Sequence, residues 1–538
     1  MVETKSRKNL RDHVTNFTMA CFSFTAAVSP AIALALAVLL VWFTARLVSR
    51  PARRNGSSPP GPRPWPIIGN LKLLGSLPHR SLHALSQTYG PLVRLKFGSV
   101  NVVVTNSPDM VKEFLKTHDA VFAARPQPAS GKHLLCNCSD VLWGNGPQWR
   151  QARKIFASHL FSPKRLESYE YIRAEERRDF LARLYDLKGK RVRIQDHLSR
   201  INLSVMSRIV LGRNYFSDSK LLREETPMTH EEMLEMFDES FELSGAFVVG
   251  DWVPWLARFD LGGYVKRMKN LSQRFCKFFD FLVQVHTKSG NRQPQEGAID
   301  MMGVLLDLVD DPKLEVKLTD DHVQGLTLDL LAAGTESAST TVEWAMAELM
   351  KNPEMMKTAT EELDRVIGRD RWVEEEDMPN LPYLDAILKE TFRLHPASAF
   401  LPPHLSTEDT QIKHYHFPKG TIALVNVWSM GRNPAVWDSP EEFRPERFLN
   451  KAFDVKGLSF EFIPFGSGRR ICPGYALGLK MVQSTLANML HGFNWALPPE
   501  MKPQDMDMEE IHGLTTPRKH PLVVVPEPRL TPHLYASI

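Results

Sequence analysis

The 538-residue chain carries a net charge of +4, with 24% charged and 43% hydrophobic side chains, which excludes a disordered or fibrous protein. Lysine and arginine are dispersed, without a basic stripe interleaved with aromatics, so no nucleic-acid partner is expected. Its 5 cysteines build neither a disulfide framework nor a paired zinc set, so the bulk of the chain is expected to face a reducing compartment.

Residues 14–45 carry no charge, and the stretch 24–45 contains AIALALAVLLVWF, long enough to span a bilayer as a helix. A cleaved signal peptide is the rival reading. The late start, the length and the lack of a small-residue cleavage site favour an anchor. Lys5, Arg7, Lys8 and Arg11 precede the span and Arg46, Arg50, Arg53 and Arg54 follow it, so charge leaves its orientation open. The predicted organisation is an N-terminal tail (1–23), a transmembrane anchor helix (24–45), a basic and proline-rich hinge (46–70) and a catalytic domain (71–538). Prolines in PPGPRPWPIIGN, Pro59 to Asn70, stiffen the hinge into a spacer.

After a short helix near Ser81 to Tyr89, the alternation of Leu92 to Thr105 around Gly98 predicts a β-hairpin. Helical spacing recurs in Pro108 to Thr117, Gln148 to His159, Arg173 to Tyr185, Glu231 to Leu243 and Glu354 to Ile367. Strand signals return at Ile422 to Val427 and near Leu522 to Val525. The chain is therefore predicted to be mainly α with a small β part. Cys136 and Cys138, two apart without partner ligands, are read as ordinary thiols.

The helix from Asp321 to Met350 has Thr319 as a candidate N-cap and ends at Asn352-Pro353. It is apolar over Leu326 to Ala333 except for Thr327 and Asp329, which points to burial. Into it the sequence sets Ala333, Gly334, Thr335, Glu336 and Ser337, an acid and an alcohol beside small residues. Next, Glu390 and Arg393 stand three apart on the helix Leu381 to His395, and Arg447 follows in FRPERF. Upstream, Trp149 and Arg153 are four apart on one helical face.

The sharpest signal is PFGSGRRICPG, Pro464 to Gly474, where Cys472 lies in a glycine-rich loop opening the helical stretch Tyr475 to Leu490. Helix-terminal N–H groups there favour a thiolate, and Gly466, Gly468 and Gly474 let the backbone approach a flat cofactor. Phe465, Gly468, Arg470, Cys472 and Gly474 reproduce FxxGxRxCxG, the signature of the cytochrome P-450 superfamily, which this chain resembles over residues 59–538. The hinge, the AAGTES helix and the C-terminal tail resemble plant microsomal members of the flavonoid and phenylpropanoid hydroxylase group.

The resemblance implies the cytochrome P-450 fold, a large helical domain around haem with a small β-rich part. It implies haem b (iron protoporphyrin IX) with Cys472 as axial thiolate and iron ligand. Trp149, Arg153, Phe465 and Arg470 would bind the cofactor, the arginines pairing with propionates. His404 stands where many members have arginine, and a contact through it would depend on pH. Glu336 and Ser337 match the acid-alcohol pair of the AGxDT pattern, with Glu for Asp and Ser for Thr, and would deliver protons during oxygen activation. Small residues beside them would leave room for dioxygen. Glu390, Arg393 and Arg447 match the buried structural cluster.

The implied activity is hydroxylation of a hydrophobic small molecule, a plant phenolic, flavonoid or terpenoid, using O2 and NADPH-derived electrons from a separate NADPH-cytochrome P-450 reductase. No dinucleotide or flavin segment is evident in the chain itself. Implied location is the endoplasmic reticulum membrane, single-pass and in contact with membrane lipid, with the catalytic domain cytosolic. A haem-thiolate isomerase or dehydratase that does not use O2, and a membrane-anchored haem or lipid binding protein, are the alternatives. Pocket walls are expected from Pro126 to Asn137, Phe237 to Val253, the segment before Gly334, Ala397 to Leu401 and Gly513 to Thr516, with Phe241, Phe247, Phe400 and Leu514 as candidates.

Overall fold

A computed structural model describes residues 57–216, 228–288, 299–309, 311–449 and 453–536, together with Leu34, Leu36, Ala37, Leu39 and Leu40. Those five leucine and alanine positions are helical and exposed; the rest of the 24–45 span lies outside the described residues. Among the described residues no helix is long and apolar enough to cross a membrane.

Residues 58–538 form one compact unit. Its axis is a 32-residue helix, Asp320–Lys351, about 48 Å long. Thr319 caps it, accepting from the His322 amide, while the Thr319 amide donates to the His322 ring at 3.2 Å. The sequence places this helix well because its caps and acidic first turn are local signals.

Two helices packed around it carry weaker signals. Ile194–Leu211 lies along the central helix and is buried on nearly all sides, so it shows no amphipathic period. Asn202 ties the pair by donating to Ser339 Oγ at 3.2 Å and to the Thr335 carbonyl at 3.4 Å. Tyr264–Lys288 forms a 25-residue helix that the sequence reading also passed over.

The hairpin forms as Leu92–Phe97 and Val100–Thr105, turning at Gly98 with φ of 54°. Its second strand pairs in parallel with Ile422–Val425, which pairs antiparallel with His404–Leu405. A second sheet sets Val523–Pro528 between Val192–Arg193 and Phe493–Ala496. The β part is thus small and lies beside a helical body, as expected.

Glu390 and Arg393 leave the ordinary helix-surface category because both side chains are completely buried. Glu390 accepts from Arg393 at 2.7 and 2.8 Å, from Arg447 Nε at 2.9 Å and from the Arg444 amide at 2.7 Å. Arg393 also donates to the carbonyls of Gly431, Pro440 and Glu442. Removing one partner of such a buried cluster strands the others, so Glu390→Ala is expected to destabilise the protein by about 3–5 kcal/mol. The check is the thermal inactivation midpoint of the full chain; an unchanged midpoint would show that the cluster contributes nothing net.

Candidate active site

One cavity of about 360 Å³ lies between the central helix and the Pro464–Gly474 loop. Cys472 lines it, and its residual exposure is to that space. The loop is shaped by Gly466 and Gly468, whose φ angles of 74° and 68° disfavour any other residue. The close approach made by Gly468 is to the Leu115 carbonyl, 2.0 Å from where a Cβ would stand, so this glycine serves loop packing. Gly474 has an ordinary φ of −90° and caps the helix Tyr475–Gly492. The Cys472 amide donates to the Phe465 carbonyl at 2.9 Å. Burial pushes the Cys472 thiol up, against the Gly474 N–H and the Arg153 charge, which favour the thiolate.

Trp149, Arg153, Phe465, Arg470 and Ser337 all line the same cavity. The Arg470 guanidinium stacks over the Trp149 ring, 3.7 Å from its centroid. Phe465 packs edge-on against Phe392, from the helix that carries Glu390, at 5.5 Å. Arg125, which no sequence motif singled out, joins Arg153 and Arg470 on the wall.

These three arginines form an under-compensated cationic group. Burial, then the Arg470 and Arg153 charges, drives the Arg125 guanidinium well below its ordinary proton affinity. Burial and Arg153 bring Arg470 down to about 9, with Asp140 acting in the opposite sense. Arg125 Nε and Trp149 Nε1 are buried without an acceptor among the described residues. Arg125 and Arg470 otherwise spend their donors largely on carbonyls, those of Pro402 and Pro403 and of Ala123 and Gly144. Such a rim fits a planar cofactor bearing two carboxylates, and Cys472 offers it a soft donor. The residues present therefore fit haem.

His404 is not among the residues lining the cavity. It is buried, with its Nδ1 2.9 Å from the Phe122 carbonyl. Burial, followed by Arg125, holds its pKa well below the usual histidine range. The third arginine at the wall, beside Arg153 and Arg470, is Arg125, and the LPPHLS segment supplies none.

Glu336 also lies outside the lining, turned into the protein from the central helix. It accepts from Thr340 Oγ1 at 3.2 Å and interacts with Thr515, which does line the cavity. Ser337 faces the cavity, but its hydroxyl donates to the Ala333 carbonyl at 2.7 Å. Gly334 is small for a reason beyond space for dioxygen: a Cβ there would stand 2.6 Å from Met206 Sδ.

Of the apolar candidates, Phe241 and Leu514 line the cavity. Phe247 and Phe400 do not; they pack beside the first sheet, Phe247 stacking on Trp252 at 5.5 Å. Met206 and Phe275, from the two helices the sequence reading passed over, complete the wall instead.

A thiol facing a cation-rimmed apolar cavity beneath a long buried helix defines a haem-thiolate oxidoreductase. The comparisons agree. The Cytochrome P450 family model matches residues 59–525. The chain is 42% identical to trimethyltridecatetraene synthase of Zea mays, over 95% of this chain and 96% of that protein. It is also 42% identical to a flavonoid 3'-monooxygenase of Arabidopsis thaliana, over 89% and 93%. A zebra fish cytochrome P450 solved with abiraterone superposes with a TM-score of 0.70 at 26% identity, over 85% of this chain and all of that one. The chain belongs to the cytochrome P450 family, and it is a haem monooxygenase with a cysteine thiolate as axial ligand.

Burial, then Asp238, raises the Glu336 carboxyl from 4.5 to about 7, with Glu343 adding to the rise and Thr340 and Thr515 opposing it. A carboxyl that binds its proton more tightly when folded contributes full stability only below its unfolded pKa. Stability is then lost as pH rises from 4.5 to about 7. Glu336→Gln is expected to remove up to about 3 kcal/mol of that loss. Denaturation midpoints of wild type and variant at acidic and neutral pH check this; parallel pH profiles would contradict it.

Proposed function

We propose that this enzyme hydroxylates a plant phenolic of the flavonoid type, taking electrons from NADPH through a separate reductase. The observation that carries this reading is an apolar cavity with aromatic walls, including Phe237, Phe241 and Phe275, in a chain 42% identical to a flavonoid 3'-monooxygenase. A terpenoid substrate is the second reading, favoured by the equal identity to trimethyltridecatetraene synthase.

In this reading Cys472 would hold the iron, Arg125, Arg153, Arg470 and Trp149 would receive the two carboxylates of haem, and Phe465 would contribute to its binding site. Haem, when bound, supplies the activation of dioxygen. Glu336, brought by burial to a pKa of about 7, exchanges protons near neutrality. Ser337 is a hydroxyl that reaches the cavity from the same helix, next to Glu336 in sequence; releasing the Ala333 carbonyl would free it to pass a proton inward.

Our reading of the chain as tail (1–23), anchor (24–45), hinge (46–70) and catalytic domain (71–538) would put the enzyme on the cytosolic face of the endoplasmic reticulum membrane. A surface patch supports contact with lipid. Trp65, Ile67 and Ile68 are 55%, 60% and 40% exposed, and Trp255, Phe259 and Leu261 are 60%, 55% and 49% exposed. The first group meets the Gly98 turn, where the Gly98 amide donates to the Ile68 carbonyl at 3.1 Å; the segment leading into the second meets it too, where the Ser99 amide donates to the Trp252 carbonyl at 3.0 Å. Large exposed apolar groups gathered this way suit a membrane interface.

The experiment is turnover in microsomes with reductase, NADPH and paired panels of flavonoids and terpenoid alcohols. Oxygenated flavonoid products support the first reading; turnover of the terpenoids alone would replace it with the second. With the accepted substrate, Ser337→Ala is expected to lower product formed per NADPH consumed by at least about tenfold. Unchanged coupling would remove Ser337 from the proton path.

A further inference from the structure

Two interior carboxyls stand apart from Glu336 and take no part in the mechanism above. Asp140 is 1% exposed, and Asp329 lines the cavity from the central helix, two turns before Glu336. Residues 141–144 run between these carboxyls and Arg470. On the amide side, the Val141 N–H donates to Asp329 Oδ2 at 2.8 Å and the Trp143 N–H donates to Asp140 Oδ1. On the carbonyl side, Gly144 accepts from Arg470 Nη2 at 2.7 Å and Val141 from Arg470 Nη1 at 3.4 Å. Asn145 Oδ1 closes the end of the loop, accepting from Arg470 at 3.2 Å and from the Arg125 amide at 2.7 Å. Gly325, one turn before Asp329, lets the loop lie on the central helix, since a Cβ there would stand 3.3 Å from the Asp140 nitrogen. The aim of Arg470 is thus set by a short loop that two carboxyls hold from behind.

Among the described residues neither carboxyl forms an ion pair. Burial pushes both up. At Asp140 the amides of Trp143, Gly144 and Leu142 and then the Arg470 charge oppose the rise, whereas at Asp329 the Asp140 charge adds to it. Asp329 therefore holds its proton more tightly, and Asp140 ionises first. Asp140 Oδ2 is buried with no donor among the described residues, so the anion is only partly stabilised there. The other titratable groups at this corner are Cys136 and Cys138 on the preceding turn, Lys132 beside Cys138, Cys276 from Tyr264–Lys288, and Asp321 at the start of the central helix. Burial above all pushes the Cys136 and Cys138 thiols up to about 12, which keeps them neutral. Arg153 and Arg125 flank Arg470 on the cavity side.

Three arginines at the wall face a cofactor with two carboxylates, which leaves one positive charge over. An ionised Asp140 balances it. Resting on the reading of Arg470 as a partner of a haem carboxylate, we infer that Asp329 and Asp140 are a positioning pair for haem, Asp329 as the neutral anchor of the loop and Asp140 as the ionising countercharge that sets the reduction potential. An anion behind Arg470 favours the more positive, oxidised site, so the potential falls as rising pH ionises Asp140.

The test uses the full chain in membranes, loaded with haem, and reads the reduction potential of wild type, Asp140→Asn, Asp329→Asn and the double variant between about pH 6 and 8.5, with haem content and the rate of haem loss measured alongside. Asparagine keeps the shape and an acceptor for the loop amides, and Asp140→Ser is a second variant that removes the charge but keeps an acceptor. The wild-type potential is expected to fall with pH. Both Asp140 variants should match it at the acidic end and stay at least about threefold more reducible at the alkaline end, about 28 mV at 59 mV per tenfold for one electron. Asp329→Asn should follow the wild type throughout, and the double variant should follow Asp140→Asn. Slopes common to every variant belong to other groups. Coincident curves for wild type and Asp140→Asn overturn the inference, as does an Asp329→Asn variant with the raised alkaline potential expected of Asp140→Asn. Arg470→Gln tests the underlying reading: haem lost no faster than from wild type overturns that reading and the inference with it, whereas faster loss beside an unchanged Asp140→Asn curve overturns the inference alone.

Discussion

Glu390 is wholly buried, and its two carboxylate oxygens collect hydrogen bonds from Arg393, Arg447 and the Arg444 backbone. That charge is tolerable in the interior because four hydrogen bonds, two of them from a fully buried guanidinium, compensate it, and the arginines in turn fix the carbonyls of residues 431–442. The same helix, Pro382–Leu394, sets Phe392 against Phe465 at the start of the cysteine loop. The loop's position is thereby referred to an element that cannot shift without exposing an unpaired charge. A ligand atom that must meet a metal within a few tenths of an ångström needs such a frame.

The opposite imbalance holds at the cavity wall. Burial lowers the proton affinity of Arg125, Arg153 and Arg470, Arg153 depresses the other two and Arg470 depresses Arg125, and buried donors on Arg125 and Trp149 lack acceptors among the described residues. Where the Glu390 cluster is closed, this one is open, and a dianionic cofactor closes it. Cationic rim and thiol together give the cavity its polarity: charged where the cofactor's carboxylates go, apolar elsewhere. Structural arginines and binding arginines differ here in their partners: Arg393 meets a carboxylate, while Arg125 and Arg470 meet chiefly carbonyls.

Much of this was legible in the sequence where the physics is local. Caps and acidic first turns announced the central helix, alternation about Gly98 announced the hairpin, and the spacing about Cys472 announced the loop. Ile194–Leu211 escaped because a helix buried on all sides has no polar face to betray its period. Arg125 escaped because nothing near it in sequence shows that Ala123 and Pro402 will bracket the cavity; only the fold brings them together. His404 was placed by analogy with arginine, yet its short ring turns to the Phe122 carbonyl, leaving the wall to Arg125. Phe247 and Phe400 looked like pocket residues by position, and satisfied the sheet's apolar face instead.

The central claim is that Cys472, presented by this loop, is the iron ligand. The measurement that tests it most directly is the carbon monoxide difference spectrum of the reduced, membrane-expressed protein beside its Cys472→Ser variant, each with haem content quantified. A strongly red-shifted Soret band in the wild type that is lost in the variant is the expected result, since thiolate ligation moves that band away from the position given by histidine. A haem-loaded wild type without the shifted band, or a variant that keeps it, would contradict the account.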